Sequence, residues 1–137
     1  MSGKVTISGD AVSLALFLPM RGMPEIVAFG PRAREADMLP TRASRINGMD
    51  ESVPSALLLP TGGMGFFGWP AFAGHREGRD FITQFERWTA ETDGAVTTLR
   101  ATDPVAKLSI TIALSLAWDV LSSSVMLRND GTGTYTL

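Results

Sequence analysis

The segment from Lys107 to Trp118 alternates between large apolar residues and small or polar ones, and this pattern constrains the fold most. The large apolar residues occupy every second position: Leu108, Ile110, Ile112, Leu114, Leu116 and Trp118. At the turn angle of a helix these side chains would scatter around the axis, whereas in an extended chain they line one face. The pattern therefore predicts a long β-strand with one buried face.

Turn signals after this segment predict further strands. Residues 120–128 follow it across a tight turn at Trp118-Asp119, so we expect them to pair with it in an antiparallel arrangement. Beyond the Asn-Asp-Gly turn at residues 129–131, residues 134–137 are predicted to begin another strand.

Earlier parts of the chain carry similar patterns. Asp93-Gly94 is a hairpin signal between an alternating strand over residues 81–86 and a second strand over residues 95–101. Near the start we expect two or three short strands, including the alternating residues 12–18 and the apolar residues 25–29.

Residues 31–78 are interrupted by proline or glycine every few positions. Because each proline fixes φ and removes a backbone donor, neither a long helix nor a long strand can persist there. At most a short helix is expected between residues 34 and 46, and long loops of this kind tend to carry function. The predicted class is all-β: an antiparallel β-sandwich with a long Gly/Pro-rich loop region, forming one domain over residues 1–137.

Composition excludes several functional classes. The 137 residues contain 12 Lys and Arg against 14 Asp and Glu, and a net charge of −2 is unlike the basic surface of a nucleic-acid binder. Without cysteine the chain has no disulfide framework, zinc knuckle or thiol nucleophile. Its apolar stretches are shorter than the ~20 residues that cross a bilayer. A basic start with an apolar run and a cleavage site is missing, so we expect a cytoplasmic protein without membrane partners.

Residues 63–68 spell GMGFFG, the G-x-G-x-x-G string of dinucleotide-binding loops. That motif works between a strand and a helix whose N-terminus holds the pyrophosphate. Here Trp69-Pro70 follows, which opposes a helix, and no βαβ pattern is present in the sequence. We therefore expect no nucleotide cofactor.

His75 is the single histidine, and the sequence offers no cysteine or second histidine to share a metal ion. A Ser-His-Asp triad would lack the G-x-S-x-G elbow that positions its serine. We interpret His75 as a loop residue that makes a structural hydrogen bond, and we expect no metal site. Paired carboxylates cleave glycosides, but a solvated strand face explains Glu86, Glu91 and Asp93 more simply.

Four aromatic residues cluster in the Gly/Pro-rich loop: Phe66, Phe67, Trp69 and Phe72. Core packing is the usual role of such side chains. Sugar binding is the alternative, because flat rings stack on the C–H faces of pyranoses. The residues themselves leave both interpretations open.

Short segments, spread over nearly the whole chain, follow one another in an order and at a spacing that match a known family. These segments are residues 24–25, 29–30, 63–72, 74–76, 78–81, 85–86, 103–106, 128–129, 131–132 and 135–137. Together they resemble the N-terminal domain of glycoside hydrolase family 36 α-galactosidases (melibiases). The resemblance implies the first part of a β-supersandwich of the galactose-mutarotase-like kind. In the family this domain precedes a catalytic (β/α)₈ barrel that carries the aspartates of a retaining glycosidase.

The resemblance implies a non-catalytic role for this chain, with the barrel of a longer parent chain as its partner and no catalytic residue of its own. It also implies homo-oligomers in which a loop reaches a neighbour's active site and contacts galactosides. Phe66 and Gly68 replace the acidic and arginine residues that many members have there, which leaves an aromatic form of the rim. Candidate rim residues are Phe66, Phe67, Trp69, His75 and Arg76, with Arg79 and Asp80 bracing the loop by ion pairs.

Two other functions stay open from the sequence. A stand-alone carbohydrate-binding β-sandwich would bind galactosides without a barrel. A mutarotase-like enzyme would need a paired general acid and base near the sugar ring oxygen, and the sequence offers one histidine without a convincing partner. Because the last predicted strand stops at Leu137, we expect a fragment of a larger sandwich. Its unpaired strand edges would then join copies near residues 107–128.

Overall fold

A computed structural model of the chain describes residues 3–32, 56–62 and 68–137. Within these ranges it consists of seven β-strands connected by turns and loops, without an α-helix. The strands are β1 (Gly3–Ser8), β2 (Val12–Leu18), β3 (Glu25–Pro31), β4 (Glu86–Asp93), β5 (Val96–Asp103), β6 (Leu108–Ala117) and β7 (Val120–Asn129). No helix in the described residues is long and apolar enough to span a membrane.

The strands form two antiparallel sheets in which each strand pairs with its neighbour in sequence. The first sheet has the order β1-β2-β3 and the second has the order β4-β5-β6-β7. The apolar faces of the two sheets share one core, so the prediction of an all-β antiparallel sandwich is confirmed. The expected short helix within residues 34–46 lies outside the described residues.

The core is built by alternation along the central strands. On β6 the inward residues are Leu108, Ile110, Ile112, Leu114 and Leu116, all buried, while their neighbours in sequence are partly exposed. On β2 the buried apolar residues facing them include Leu14, Leu16 and Leu18. The periodicity of residues 107–117 was therefore a correct guide to both the strand and its buried face.

Trp118 was predicted to continue the buried face of β6, and this prediction is wrong. The strand ends at Ala117, and Trp118 is 88% exposed in the turn that follows. Trp118 and Asp119 have φ values of 53° and 58°, as a two-residue type I′ hairpin requires. The turn geometry therefore overrides the alternation.

Two other strand predictions need correction. The strand expected from Phe81 begins at Glu86. Thr83 and Phe85 are buried as expected, but Phe81 is 61% exposed. Residues 134–137 form no strand, and Thr136 makes a single bridge to His75. The predicted hairpin is confirmed at Gly94, whose φ is 57°.

Polar contacts connect the two sheets at more than one place. Trp88 Nε1, from β4, donates a buried hydrogen bond to Gly22 O in the β2–β3 connection at 2.6 Å. At the other end, Asp119 Oδ1 accepts hydrogen bonds from the backbone N–H groups of Ala11 and Val12 at 2.9 and 3.0 Å. These contacts fix the two sheets relative to each other.

Candidate functional site

The loop of residues 74–80 carries most of the described candidate residues, and a tight turn gives it its shape. Arg76 and Arg79 form a bridge in which each backbone N–H donates to the other's carbonyl, at 2.8 and 2.9 Å. Between them Glu77 and Gly78 have φ values of 50° and 73°, the left-handed conformation of a type I′ turn. The turn therefore projects Glu77 and Gly78 outward and keeps Arg76 at its base.

Arg76 is the central side chain of this loop. Its Nη1 donates to Asp80 Oδ2 at 2.7 Å and to Ala106 O at 3.0 Å, and its Nη2 donates to Asn129 Oδ1 at 2.7 Å. The Arg76 side chain is only 14% exposed, so its charge-assisted bonds to Asp80 and Ala106 are partly shielded from water, whereas the bond to Asn129 is exposed. Through them the loop is joined to the β5–β6 turn and to the end of β7.

Tyr135 completes the cluster from the other side. Its hydroxyl donates to Asp80 O at 3.2 Å, and its ring centroid lies 5.6 Å from Arg76 Cζ, within the range of a cation–π contact. Burial, followed by the nearby Asp80 carboxylate, raises the pKa of the Tyr135 phenol above its usual value. Gly74 permits this packing, because a Cβ there would collide with Tyr135 Cε1.

A polar cleft of about 490 Å³ opens beside this cluster. Its lining combines both charges with a glycine-containing stretch: Arg76, Glu77, Arg79, Asp80, Val105, Lys107, Thr132 and Gly133. The mixture of cationic, anionic and hydroxyl groups suits a polar ligand held by hydrogen bonds. It does not resemble the mostly apolar pocket that encloses a drug-sized molecule.

The structure places the other predicted site residues as follows. Trp69 is 95% exposed on its loop, so its indole is available to a partner or ligand. His75 is exposed, and its Nδ1 accepts a hydrogen bond from Gly78 N at 3.3 Å. Its backbone pairs with Thr136. Phe66 and Phe67 lie outside the described residues.

The two bracing residues contribute differently to the loop. Asp80 forms the ion pair with Arg76, whereas Arg79 contributes backbone hydrogen bonds and makes no side-chain ion pair within the described ranges. Phe72, the fourth aromatic residue of the predicted cluster, packs against the core with its ring 6.2 Å from that of Phe85. Of the two described residues of this cluster, Phe72 therefore packs against the core and Trp69 is exposed.

The carboxylates of β4 have partners of their own. Glu86 lies 3.5 Å from Arg21 and 3.6 Å from Arg87, and Glu91 lies 3.1 Å from Arg100 across the exposed face. Glu91 and Asp93 lie on the solvated strand face that was expected, whereas the Glu86 side chain is only 19% exposed. Among the described residues, no group of three or more His, Asp or Glu is placed to hold a metal ion.

Three important residues of the cluster were not selected from the sequence. Asn129 and Tyr135 contact Arg76 directly. Asp103 is 2% exposed and accepts backbone hydrogen bonds from Gln84, Val105 and Ala106 at 2.7 to 2.9 Å. The signal for Asp103 was available, since Asp before a proline at the end of a strand is typical of an Asx turn.

Comparisons with known proteins give a likeness in structure. No protein-family model matches the sequence. No curated protein matches it either. Among solved structures, the chain is similar to the glycoside hydrolase family 36 α-galactosidase AgaA from Geobacillus stearothermophilus, crystallised with stachyose. The TM-score is 0.66 and the sequence identity 18%, over 96% of this chain and 23% of that enzyme. The chain therefore has the fold of a segment that makes up about a quarter of that α-galactosidase.

Proposed function

We propose that this chain is a non-catalytic β-sandwich domain of a glycoside hydrolase family 36 α-galactosidase, corresponding to the N-terminal portion of its supersandwich. The observation that carries the proposal is the likeness in fold, which extends over 96% of this chain but only 23% of the enzyme. The segments that resemble the family in sequence run from Pro24 to Leu137 and support the same assignment. Hydrolysis of terminal α-galactosides would then belong to a catalytic barrel in the same longer chain.

The described carboxylates are bonded to arginine side chains and backbone N–H groups, and this supports a structural role for them. Asp80 is paired with Arg76, Glu91 is paired with Arg100, and Asp103 is bonded to three backbone N–H groups. A retaining glycosidase needs two carboxyl groups about 5–5.5 Å apart, facing one sugar. Carboxylates already bonded to arginine and backbone groups stabilise loops and strands.

The exposed indole of Trp69 supports a part in an active-site rim. Large aromatic side chains at the surface are typical of contact sites, because they present apolar area at low conformational cost. The Arg76–Asp80 ion pair holds the neighbouring loop firmly, and His75 lies at the start of that loop. In this proposal Trp69 forms the rim, and residues 74–80 support it.

The rim is tested with the intact gene product that contains this domain. We expect Trp69→Ala to lower kcat/KM for stachyose several-fold while the oligomer mass stays unchanged. Trp118→Asn is the matched control, because Trp118 is also highly exposed but lies in the β6–β7 turn, where asparagine suits the positive φ. Equal kcat/KM values for the Trp69 variant and the wild type would refute the rim.

A second candidate function is a stand-alone carbohydrate-binding module, favoured by the exposed Trp69 and the polar cleft beside Arg76. In that case the chain itself binds sugar. Titration with stachyose, followed by tryptophan fluorescence, would then saturate at millimolar sugar, and Trp69→Ala would abolish the change. A flat titration with folded protein would exclude this function and leave the domain assignment in place.

A further inference from the structure

Three segments of the chain meet around the polar cleft, and Arg76 fixes them relative to one another. From its own loop, Arg76 donates to Ala106 O in the β5–β6 turn and to Asn129 Oδ1 at the end of β7. Asp130 N donates to Lys107 O at 2.9 Å, which joins the β5–β6 turn to the turn that follows β7. The walls of the cleft are therefore held in place before a ligand enters, and this lowers the entropic cost of binding.

The charges that line the cleft do not cancel. Asp80 lies 2.7 Å from Arg76, so the charges of these two side chains neutralise each other. Arg79 and Lys107 are exposed and form no ion pair with any described residue, and the same is true of Glu77. Two unpaired cations thus accompany one unpaired anion. The cleft is locally positive on a chain whose net charge is −2.

The turn after β7 adds hydrogen-bonding groups that carry no charge. Thr132 contributes a hydroxyl group to the lining, and Gly133 beside it has a φ of 82°, the left-handed conformation that glycine adopts readily. The N–H groups of these two residues donate to no other described residue. Backbone N–H groups in turns of this kind are frequent ligands of anionic oxygen atoms.

We propose that the cleft binds a small polyhydroxylated anion, of the class of sugar acids and sugar phosphates. Arg79 and Lys107 bind its carboxylate or phosphoryl group through charge-assisted hydrogen bonds. Glu77, which has no cation as a partner, accepts hydrogen bonds from hydroxyl groups of the same ligand. The volume of about 490 Å³ lies within the range of small-molecule sites.

The charges of the lining exclude simpler ligands. An inorganic anion would be repelled by Glu77 without offering it the donors of a hydroxylated ligand. A neutral sugar would leave Arg79 and Lys107 without a counter-charge. The lining therefore matches a ligand that carries an anionic group and hydroxyl groups together.

Binding is measured on the native product that carries this sequence, so that any further part of a larger enzyme is present. Isothermal titration calorimetry compares glucuronate and glucose 6-phosphate with glucose and inorganic phosphate. Probes derived from glucose are used because a galactoside site would compete for probes derived from galactose. Arg79→Gln and Lys107→Gln each remove one cation from the cleft. The matched control is Lys4→Gln, which removes an exposed cation of β1 that does not line the cleft.

We expect glucuronate, glucose 6-phosphate or both to saturate the site at millimolar concentration, and glucose and inorganic phosphate to bind several-fold more weakly. Saturation by glucuronate alone would identify a carboxylate ligand, and saturation by glucose 6-phosphate alone a phosphorylated one. Arg79→Gln and Lys107→Gln should each weaken binding about fivefold, as the loss of one exposed ion pair does. Lys4→Gln should leave the affinity unchanged.

The proposal would be overturned if neither anionic probe bound, or if glucose or inorganic phosphate bound as tightly as they do. Wild-type affinity in both Arg79→Gln and Lys107→Gln would also overturn it. The α-galactosidase assignment does not depend on these results, because it is tested by the mass of the native product and by its activity.

Discussion

Arg76 and Gly131 approach so closely that a Cβ on Gly131 would lie 2.7 Å from Arg76 Nη2. The guanidinium is held in place by Asp80, Ala106 and Asn129, so it has little freedom to move away. The missing side chain at position 131 is therefore a requirement for docking the loop of residues 74–80 onto the end of the second sheet.

Gly131→Ala is expected to destabilise the fold by about 1–3 kcal/mol, the usual cost of forcing an atom into a packed site. The control is Gly30→Ala, since a Cβ on Gly30 meets nothing within 4 Å and its φ is not positive. Urea denaturation followed by circular dichroism measures both free energies of unfolding. If the two variants lost equal stability, the close packing of Arg76 against Gly131 would be refuted.

Asp103 is predicted to be the most sensitive carboxylate of the chain. Its side chain is 2% exposed and accepts three backbone hydrogen bonds, so Asp103→Ala leaves three N–H groups without this partner, and that of Ala106 is buried. We expect a loss of about 3 kcal/mol in the free energy of unfolding. Asp93→Ala, in the exposed β4–β5 hairpin, should change stability by less than about 0.5 kcal/mol. Similar losses in the two variants would contradict this explanation.

Asp119 combines a left-handed backbone, with φ of 58°, and an oxygen that accepts hydrogen bonds from Ala11 and Val12. Asparagine tolerates this conformation and keeps an acceptor oxygen, whereas alanine does neither. We therefore expect Asp119→Ala to cost about 2 kcal/mol of stability and Asp119→Asn less than half of that. Thermal unfolding of both variants measures the order, and a larger loss for asparagine would show that the contact between the sheets is misassigned.

The raised pKa of Tyr135 predicts that the stability of the fold decreases at alkaline pH. Because burial raises its pKa in the folded state, the unfolded chain releases the phenol proton at lower pH than the folded chain does. The stability that this group contributes is therefore fully present below its ordinary pKa of 10.0. It is lost as the pH rises through the raised folded value.

Because Tyr135 is the single tyrosine of the chain, an absorbance titration of tyrosinate reports the ionisation of this residue alone. The absorbance titration of the folded protein should have its midpoint above 10.0, and that of the chain in urea should not. Tyr135→Phe should remove this part of the decline in stability at high pH. A midpoint in the folded protein at or below that of the unfolded chain would contradict the burial of the hydroxyl against Asp80.

The second sheet could be predicted from the sequence because its signals are local. The alternation along β6 and the turn residues at Gly94 and Trp118-Asp119 define strands that pair with their sequence neighbours. Residues 81–85 show the limit of this approach. Thr83 and Phe85 are buried as predicted, but Phe81 is 61% exposed and these residues belong to no strand of either sheet.

The candidate site is formed largely by contacts between residues that are distant in sequence, and local sequence patterns carry no information about such contacts. Arg76 and Asp80 are four residues apart, and an ion pair of Asp80 that braces the loop was part of the sequence prediction. Arg76 and Asn129 are separated by 53 positions, and Asp80 and Tyr135 by 55. Pairs so distant in sequence are brought together by the packing of the loop over the strand ends. A single sequence offers no signal for them.

The proposal that this chain is a domain of a larger α-galactosidase is tested by the mass of the native product that carries this sequence. An antibody raised against the chain would detect that product in extracts of the source cells. We expect a band about four times heavier than 14.7 kDa, since the matched segment is 23% of the similar enzyme. We also expect α-galactosidase activity to copurify with that band. A band at 14.7 kDa, separate from any such activity, would contradict the proposal.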